Sequence, residues 1–344
     1  MVRIVTVDDI KSLIRKVTLE KFFTQLVERL EATFSCWEEF EKMPRVVSSV
    51  EGGVIELMPF WNKDYYSFKY VNGHPSNSKD NKQTVVGIGM LADAATGYPV
   101  LISEMTLLTA IRTAATSVLA SKYIAKPKPR SLAIVGTGAQ SEFQIIAHKT
   151  LFDIKTVYYF DLDSKAMDKF EKNLSSYECN SGRVNLERAK DVESMIEDVD
   201  IIITVMASRK FTQILRNEWI KPGMIINTIG ENCTDRTALD PKILERSKIV
   251  VEFLKQSKDE GAIQNYNHNH VYAELWELTE GKKLGRTSDE EIFVFDLIGF
   301  ALEDYVTLRL VYSLAEDFHV GHMLDMVPEE EGINPKNLFG LLVD

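Results

Sequence analysis

Residues 133–142 read AIVGTGAQSE, and this stretch decides the fold. An apolar run from Ser131 reads as a strand. Gly136 and Gly138 follow it and open a helix over 139–152. Lacking side chains, the two glycines let the backbone turn and approach a pyrophosphate, while the helix N-terminus aims free N–H groups at that anion. Ser141 stands where a third Gly or Ala is usual. A glycine pair alone is weak, because a tight turn without a ligand uses the same residues. The next strand adds to it. TVYYFDLD ends around Asp161, 25 residues after Gly136. An acid there accepts both ribose hydroxyls and repels a 2′-phosphate, which predicts NAD(H) rather than NADP(H). The other role open to Asp161 is a helix N-cap, for which Asp163 competes.

Outward from this unit the rhythm continues. A helix is predicted over 164–176, and VDIIITVMA, GMIINTIG and KIVVEF are further short apolar strands. Strands alternating with helices predict an α/β fold with a doubly wound, mostly parallel sheet. EIFVFDLIGFALEDYVTLRLVYSLAED, 291–317, reads as a strand running into a helix that returns to the first half. The last twenty residues, rich in Pro, Glu and Asp, are expected at the surface.

The first half has a different pattern. Residues 7–33 carry apolar side chains at helical spacing, from Ile10, Leu13, Ile14 and Val17 to Phe22, Phe23, Leu26, Val27 and Leu30. A break near Lys16–Thr18 makes two helices of them. RVVSSV, GVIELMPF, YYSFKYV and TVVGIGMLAD then alternate as strands, with a hairpin turning at 93–97. An apolar helix over about 105–125 follows, rich in alanine, and Pro127 and Pro129 mark a boundary. The expected division is 1–125 plus 305–344 as an α+β substrate-binding and dimerisation domain, and 126–304 as the nucleotide-binding domain.

With 344 residues, 45% of them hydrophobic, the chain can build a large core. Its net charge of −11 argues against a nucleic-acid or anionic-membrane partner. Cys36, Cys179 and Cys233 fit no metal spacing, and no metal is expected. The start turns acidic too early for a signal peptide, and no apolar run reaches the ~18 residues of a membrane span. A soluble chain in a reducing, cytoplasmic setting is the expectation.

Four charges interrupt the apolar elements of the first half: Arg45, Glu56, Lys69 and Arg112. Each alone reads as a solvated face or a structural ion pair. Together they form a set able to bind a small amino acid, the cations taking its α-carboxylate and Glu56 its ammonium. His74 in NGHPSN is a candidate acid or base, or a loop histidine bonded to backbone. His268, His270, His319 and His322 lack metal-ligand companions and are assigned to surface or packing.

Several segments together resemble the ornithine cyclodeaminase/mu-crystallin family, nearest its bacterial ornithine cyclodeaminases. They are RVVSSVEGGVIELMP, FKYVNGHPSN, LADAATGYPVLISEMTLLTAIRTAATS, VGTGAQSEFQ, VDIIITVMA and VFDLIGFALEDY, in order from about residue 40 to 305. The resemblance implies a Rossmann domain inserted into a substrate-binding and dimerisation domain built from both chain ends, and a homodimer. It implies that Arg45, Lys69 and Arg112 hold the substrate carboxylate, with Glu56 beside them. NAD contacts are implied from Thr84, Arg112, Ala139, Gln140, Asp161, the strand end at Thr204, Ile229, Gly230, Glu231, Arg236 and Ser288. The implied reaction turns L-ornithine into L-proline and ammonia through Cα oxidation, ring closure and re-reduction.

One segment departs from that pattern. Where the family typically reads Gly-Gly-Asp, with the Asp as acid/base, this chain has Gly230-Glu231-Asn232. Thr234 and Asp235 replace the common Pro and Gly, Arg236 replaces Lys, and Leu297 stands for Ser. Asn232 joins Glu56 and Lys69 as the candidate catalytic set, yet an amide is no base at neutral pH. Glu231 points the other way on an extended chain, and Asp235 can reach back only through a turn. Alternatives are an amino-acid dehydrogenase or a cyclic imine reductase, whose substrate lacks a distal amine, and a non-catalytic crystallin-like binder of NAD.

Overall fold

The computed structural model describes residues 1–179, 182–205, 214–230, 239–264, 266, 270–328 and 336–343. Glu231, Asn232, Cys233, Arg236 and His268 lie outside them. Two sheets organise the chain. The first runs His322–Leu324, Val2–Val5, Pro99–Glu104, Gly87–Asp93, Tyr65–Gly73, Gly53–Trp61, Glu41–Lys42, with Val46–Val50 also paired to Gly53–Trp61. All its pairs are antiparallel except Val2–Val5 with Pro99–Glu104. The hairpin turns where expected: Asp93 accepts from Thr96 N at 2.8 Å.

Alternation along these strands sorts the side chains. Met58 pairs with Lys69 and Lys69 with Gly89, and this row is buried against the helix Ala301–Asp317. Glu56 shares that inner face two residues before Met58. The outer face carries Val46, Leu57, Tyr70 and Ile88 side by side across four strands. All four are exposed, from 38% at Tyr70 to 52% at Ile88.

The second sheet is parallel throughout, in the order Asn185–Arg188, Thr156–Phe160, Ser131–Val135, Ile201–Thr204, Ile225–Ile229, Phe293–Leu297, Lys248–Val251, Val271–Glu274. The order reverses between Ser131–Val135 and Ile201–Thr204. That is the switch point where a doubly wound sheet opens a crevice at its C-terminal edge. Two apolar layers cover its faces, one continuous with the core of the first sheet.

The helices Val7–Val17 and Leu19–Phe34 part at Thr18, whose φ of 70° and ψ of 149° cannot continue a helix. Thr106–Ile124 joins the two sheets. It packs on Leu19–Phe34 and Ser141–Leu151 and lies over Ile225–Ile229 and Phe293–Leu297. Its buried residues include Ala110, Ala114, Ala115 and Ala120, small enough for neighbours to approach on every side. Among the described residues, no helix is long and apolar enough to cross a membrane.

Candidate active site

The crevice side of the second sheet collects the expected nucleotide residues. Gly136 follows Ser131–Val135 with φ +99°, and its N–H donates to Phe160 O at 2.9 Å. A Cβ on Gly138 would meet nothing within 4 Å. The protein itself therefore does not require glycine there, whereas a close-lying phosphate would. Ala139 and Gln140 lead into the helix Ser141–Leu151, and Gln140 Oε1 is buried with no hydrogen-bond partner. Asp163 caps the helix Ser164–Ser176 through Lys165 N. Asp161 is thus not the cap. It turns to the glycine loop, accepting from Thr137 N at 2.7 Å and Thr137 Oγ1 at 3.2 Å. Thr204 and Ile229 end neighbouring strands, and Gly230 follows at φ +70°.

One expected contact, Ser288, is not brought there. Ser288 precedes Phe293–Leu297, so in a parallel sheet it lies at the opposite edge. It sits in a turn tied to Glu291, whose carbonyl accepts from Gly223 N. The strand end on the crevice side is the buried Leu297. Thr84 belongs to the first half, its carbonyl accepting from His74 N at 2.8 Å. The His74 ring lies 2.9 Å from the Asn72 amide nitrogen, a side-chain partner rather than backbone.

The four suspicious charges do converge. Arg45 Nη1 lies 3.0 Å from Glu56 Oε2 and 3.5 Å from Glu260 Oε2. Arg45 Nη2 donates to the carbonyls of Ile298 and Gly299, just past Phe293–Leu297. Lys69 Nζ lies 2.7 Å from Asp304 Oδ2. Arg112 binds Glu303 and lies 3.1 Å from Asp304 Oδ1. Asp304 joins Lys69 to Arg112, and Gly299 lies against both arginines. The cations are therefore not a bare trio; each has a resident carboxylate. Burial, with Arg112 beside it, lowers the Lys69 pKa to about 8 despite Asp304. Burial works against the charge of Arg112, yet Asp304, Glu303 and Glu252 outweigh it and hold the guanidinium charged.

Residues 7–318 match the family model described as the ornithine cyclodeaminase/mu-crystallin family. The chain is 41% identical over 348 residues to an ornithine cyclodeaminase of Agrobacterium tumefaciens (strain Ach5), covering 100% of this chain and 94% of that one. The chain belongs to the ornithine cyclodeaminase/mu-crystallin family. Two solved structures are close in fold. An archaeal alanine dehydrogenase dimer with bound NAD is 29% identical, with a TM-score of 0.86 over 95% of this chain and 99% of that one. Thermococcus litoralis Δ1-pyrroline-2-carboxylate reductase, in complex with NADH and L-proline, is 26% identical, with a TM-score of 0.84 over 94% and 100%.

Within this family member, sequence patterns missed five polar residues around the clamp: Glu252, Gln256, Glu260, Glu303 and Asp304. Glu303 and Asp304 lie in the first turn of Ala301–Asp317, where acids are ordinary. Glu252 follows a buried strand, and Glu260 lies in a loop whose sequence has no period. Burial raises the Glu260 pKa; Arg45 opposes and Glu56 adds to the rise. A separate buried polar group ties the two sheets. Asn227 Nδ2 donates to Ser117 Oγ at 3.0 Å and Ser121 Oγ at 2.9 Å, and His148 Nε2 lies 3.1 Å from Ser121 Oγ. Burial lowers the His148 pKa to about 4, so the ring is neutral at pH 7. An apolar groove of about 390 Å³ among Leu19, Phe143, Ile146, Leu174 and Tyr177 includes none of the clamp residues. Among the described residues, no His/Cys/Asp/Glu group has the makings of a metal site.

Proposed function

We propose that this chain is an NAD-dependent ornithine cyclodeaminase that converts L-ornithine to L-proline and ammonia. The observation that carries this is the buried clamp at the crevice edge of the cofactor sheet, in a chain 41% identical end to end to an ornithine cyclodeaminase. The cofactor is NAD, which when bound would supply reversible hydride transfer at Cα. Gly136, Gly138, Ala139 and Gln140 cradle its pyrophosphate, and Asp161 takes the ribose hydroxyls. Arg45, Lys69 and Arg112 orient the substrate's α-carboxylate, which enters a site whose cations are already paired. Glu56 and Glu260, both beside Arg45, face the amine side. Of these two we choose Glu260, whose pKa burial raises, which favours taking up a proton. It is the group we assign to take the proton that Asn232 cannot.

Residues 1–125 with 305–344 form the substrate-binding and dimerisation domain in this reading, and 126–304 the cofactor domain. The second copy covers the row Val46, Leu57, Tyr70 and Ile88, an apolar sheet face too continuous to leave in water.

A second reading follows from the same amide. With Asn232 in place of an acid, a substrate lacking a distal amine suits the site, and the chain is then an amino-acid dehydrogenase or cyclic imine reductase. One assay separates them. Purified protein is given L-ornithine without added NAD. Proline and ammonia in equal amounts support cyclodeamination. Net NADH formation with added NAD and an amino acid supports a dehydrogenase. NAD binding without turnover marks a non-catalytic binder and sinks both enzyme readings.

A further inference from the structure

Glu252 is fully buried at the C-terminal end of Lys248–Val251, on the cofactor sheet. Its Oε2 accepts from the backbone of Ile298 at 2.9 Å and of Gly299 at 2.8 Å. Those two residues turn the chain from Phe293–Leu297 into Ala301–Asp317. Their carbonyls accept from Arg45 Nη2. Gly299 has φ +88°, and a Cβ there would fall 2.7 Å from Arg112 Nη1. Gln256 closes the arrangement. Its Nε2 donates to Gly299 O at 2.9 Å, and its Oε1 accepts from Arg45 N at 3.2 Å.

The far oxygen of Glu252, Oε1, has no donor. Burial, then the charge of the nearby Glu303, raise the Glu252 pKa well above the usual carboxylate range. Gly299, held by Glu252, lies against the Arg112 guanidinium, which also donates to Glu303. One side chain of the cofactor sheet therefore touches, through single intermediaries, both arginines of a clamp that belongs to the other sheet.

We infer that Glu252 is a positioning residue of the amino-acid clamp, setting both Arg45 and Arg112 through the Ile298–Gly299 turn. It does not touch substrate. Its effect comes from geometry, since a displacement of about 1 Å at an orienting group costs roughly 100-fold in rate. This inference rests on the proposed amino-acid site.

The test is a series of full-length variants loaded with NAD and titrated calorimetrically with L-ornithine, L-alanine and L-proline. Glu252→Gln keeps an oxygen for both amides. It is expected to bind within about 3-fold of the starting protein. Glu252→Ala leaves the two amides without a partner, and is expected to weaken amino-acid binding by roughly 30-fold or more while NAD affinity holds. If Glu252→Ala fails to fold, Gln256→Leu removes only the outer support and is expected to cost about 3- to 10-fold. A Gln variant as damaged as the Ala variant, or unchanged binding in both Glu252→Ala and Gln256→Leu, overturns the inference. If the starting protein binds none of the three amino acids, the proposed function falls. Crystals of Glu252→Gln and Gln256→Leu then decide the positioning. Arg45 and Arg112 held in the first and shifted by about 1 Å in the second support it; arginines unmoved in the second overturn it.

Discussion

Lys69 illustrates how a residue becomes conspicuous. It interrupts an alternating strand at an inward position, and the structure buries it completely beside Asp304. Its pKa of about 8 is below the ordinary 10.5, because folding penalises its charge. For this group alone, stability rises with pH between about 8 and 10.5, since the unfolded chain holds the proton longer. Ligand binding follows the opposite sign: affinity for an amino-acid carboxylate should fall as pH rises through about 8. Titrations across pH 6–10 check this, and in Lys69→Arg the loss should move to higher pH; an unchanged midpoint rules out Lys69 as its source. Asp161→Ala should weaken NAD binding about 10- to 100-fold, by loss of charge-assisted hydrogen bonds. Fluorescence titration reads this, and equal affinity would remove Asp161 from the cofactor site. Asn232→Asp should raise cyclodeaminase turnover, by up to roughly 100-fold, the lower end of general-base catalysis. No change would mean that Glu260 already supplies the base at full rate. The cations and Glu56 were legible because charge inside or beside an apolar element is anomalous. The partners Glu260, Glu303 and Asp304 were not, because an acid at a helix start or in a loop is ordinary.

Elements with strong periodicity were legible to within a few residues. The break between the first two helices, the 164–176 helix and the 93–97 turn all match the pattern read from side chains alone. Short elements at or next to the sheet edges were not. Val2–Val5, Asn185–Arg188, Val271–Glu274 and His322–Leu324 have three or four residues each, too few for alternation to show. They exist because a neighbouring strand supplies partners, which is a tertiary cause. Thr18 is an element-scale weak point. Its φ and ψ fall in a region that favours glycine almost alone, and its cap to Lys21 N is long at 3.4 Å. Thr18→Gly should therefore stabilise the protein by about 1 kcal/mol, the relieved strain exceeding the few tenths lost at the cap. Urea unfolding measures it; a lower midpoint would show that the cap matters more.

At the scale of the molecule, the sheet type was legible from the strand–helix rhythm, but the meeting of the two sheets was not. Pairing across residues 45 to 304 depends on three-dimensional packing that no local pattern encodes. The exposed row Val46, Leu57, Tyr70 and Ile88 also emerges only from register. A two-fold contact would bring each substitution into the interface twice. Tyr70→Asp with Ile88→Asp should dissociate a dimer, each buried carboxylate costing about 1–3 kcal/mol. Light scattering on eluting protein checks the mass; a variant still dimeric at low micromolar concentration would place the interface elsewhere. The helix Thr106–Ile124 bears on how the chain could be divided. It carries Arg112 toward the first sheet, yet its Ser117 and Ser121 are bonded to Asn227 of the second. Cutting the chain at the prolines that follow would assign this helix to one fragment and leave the other with an apolar floor and an amide without partners. Neither half is thus a free-standing module to be borrowed or exchanged. The cofactor sheet and the amino-acid clamp have to be inherited, and redesigned, as one piece.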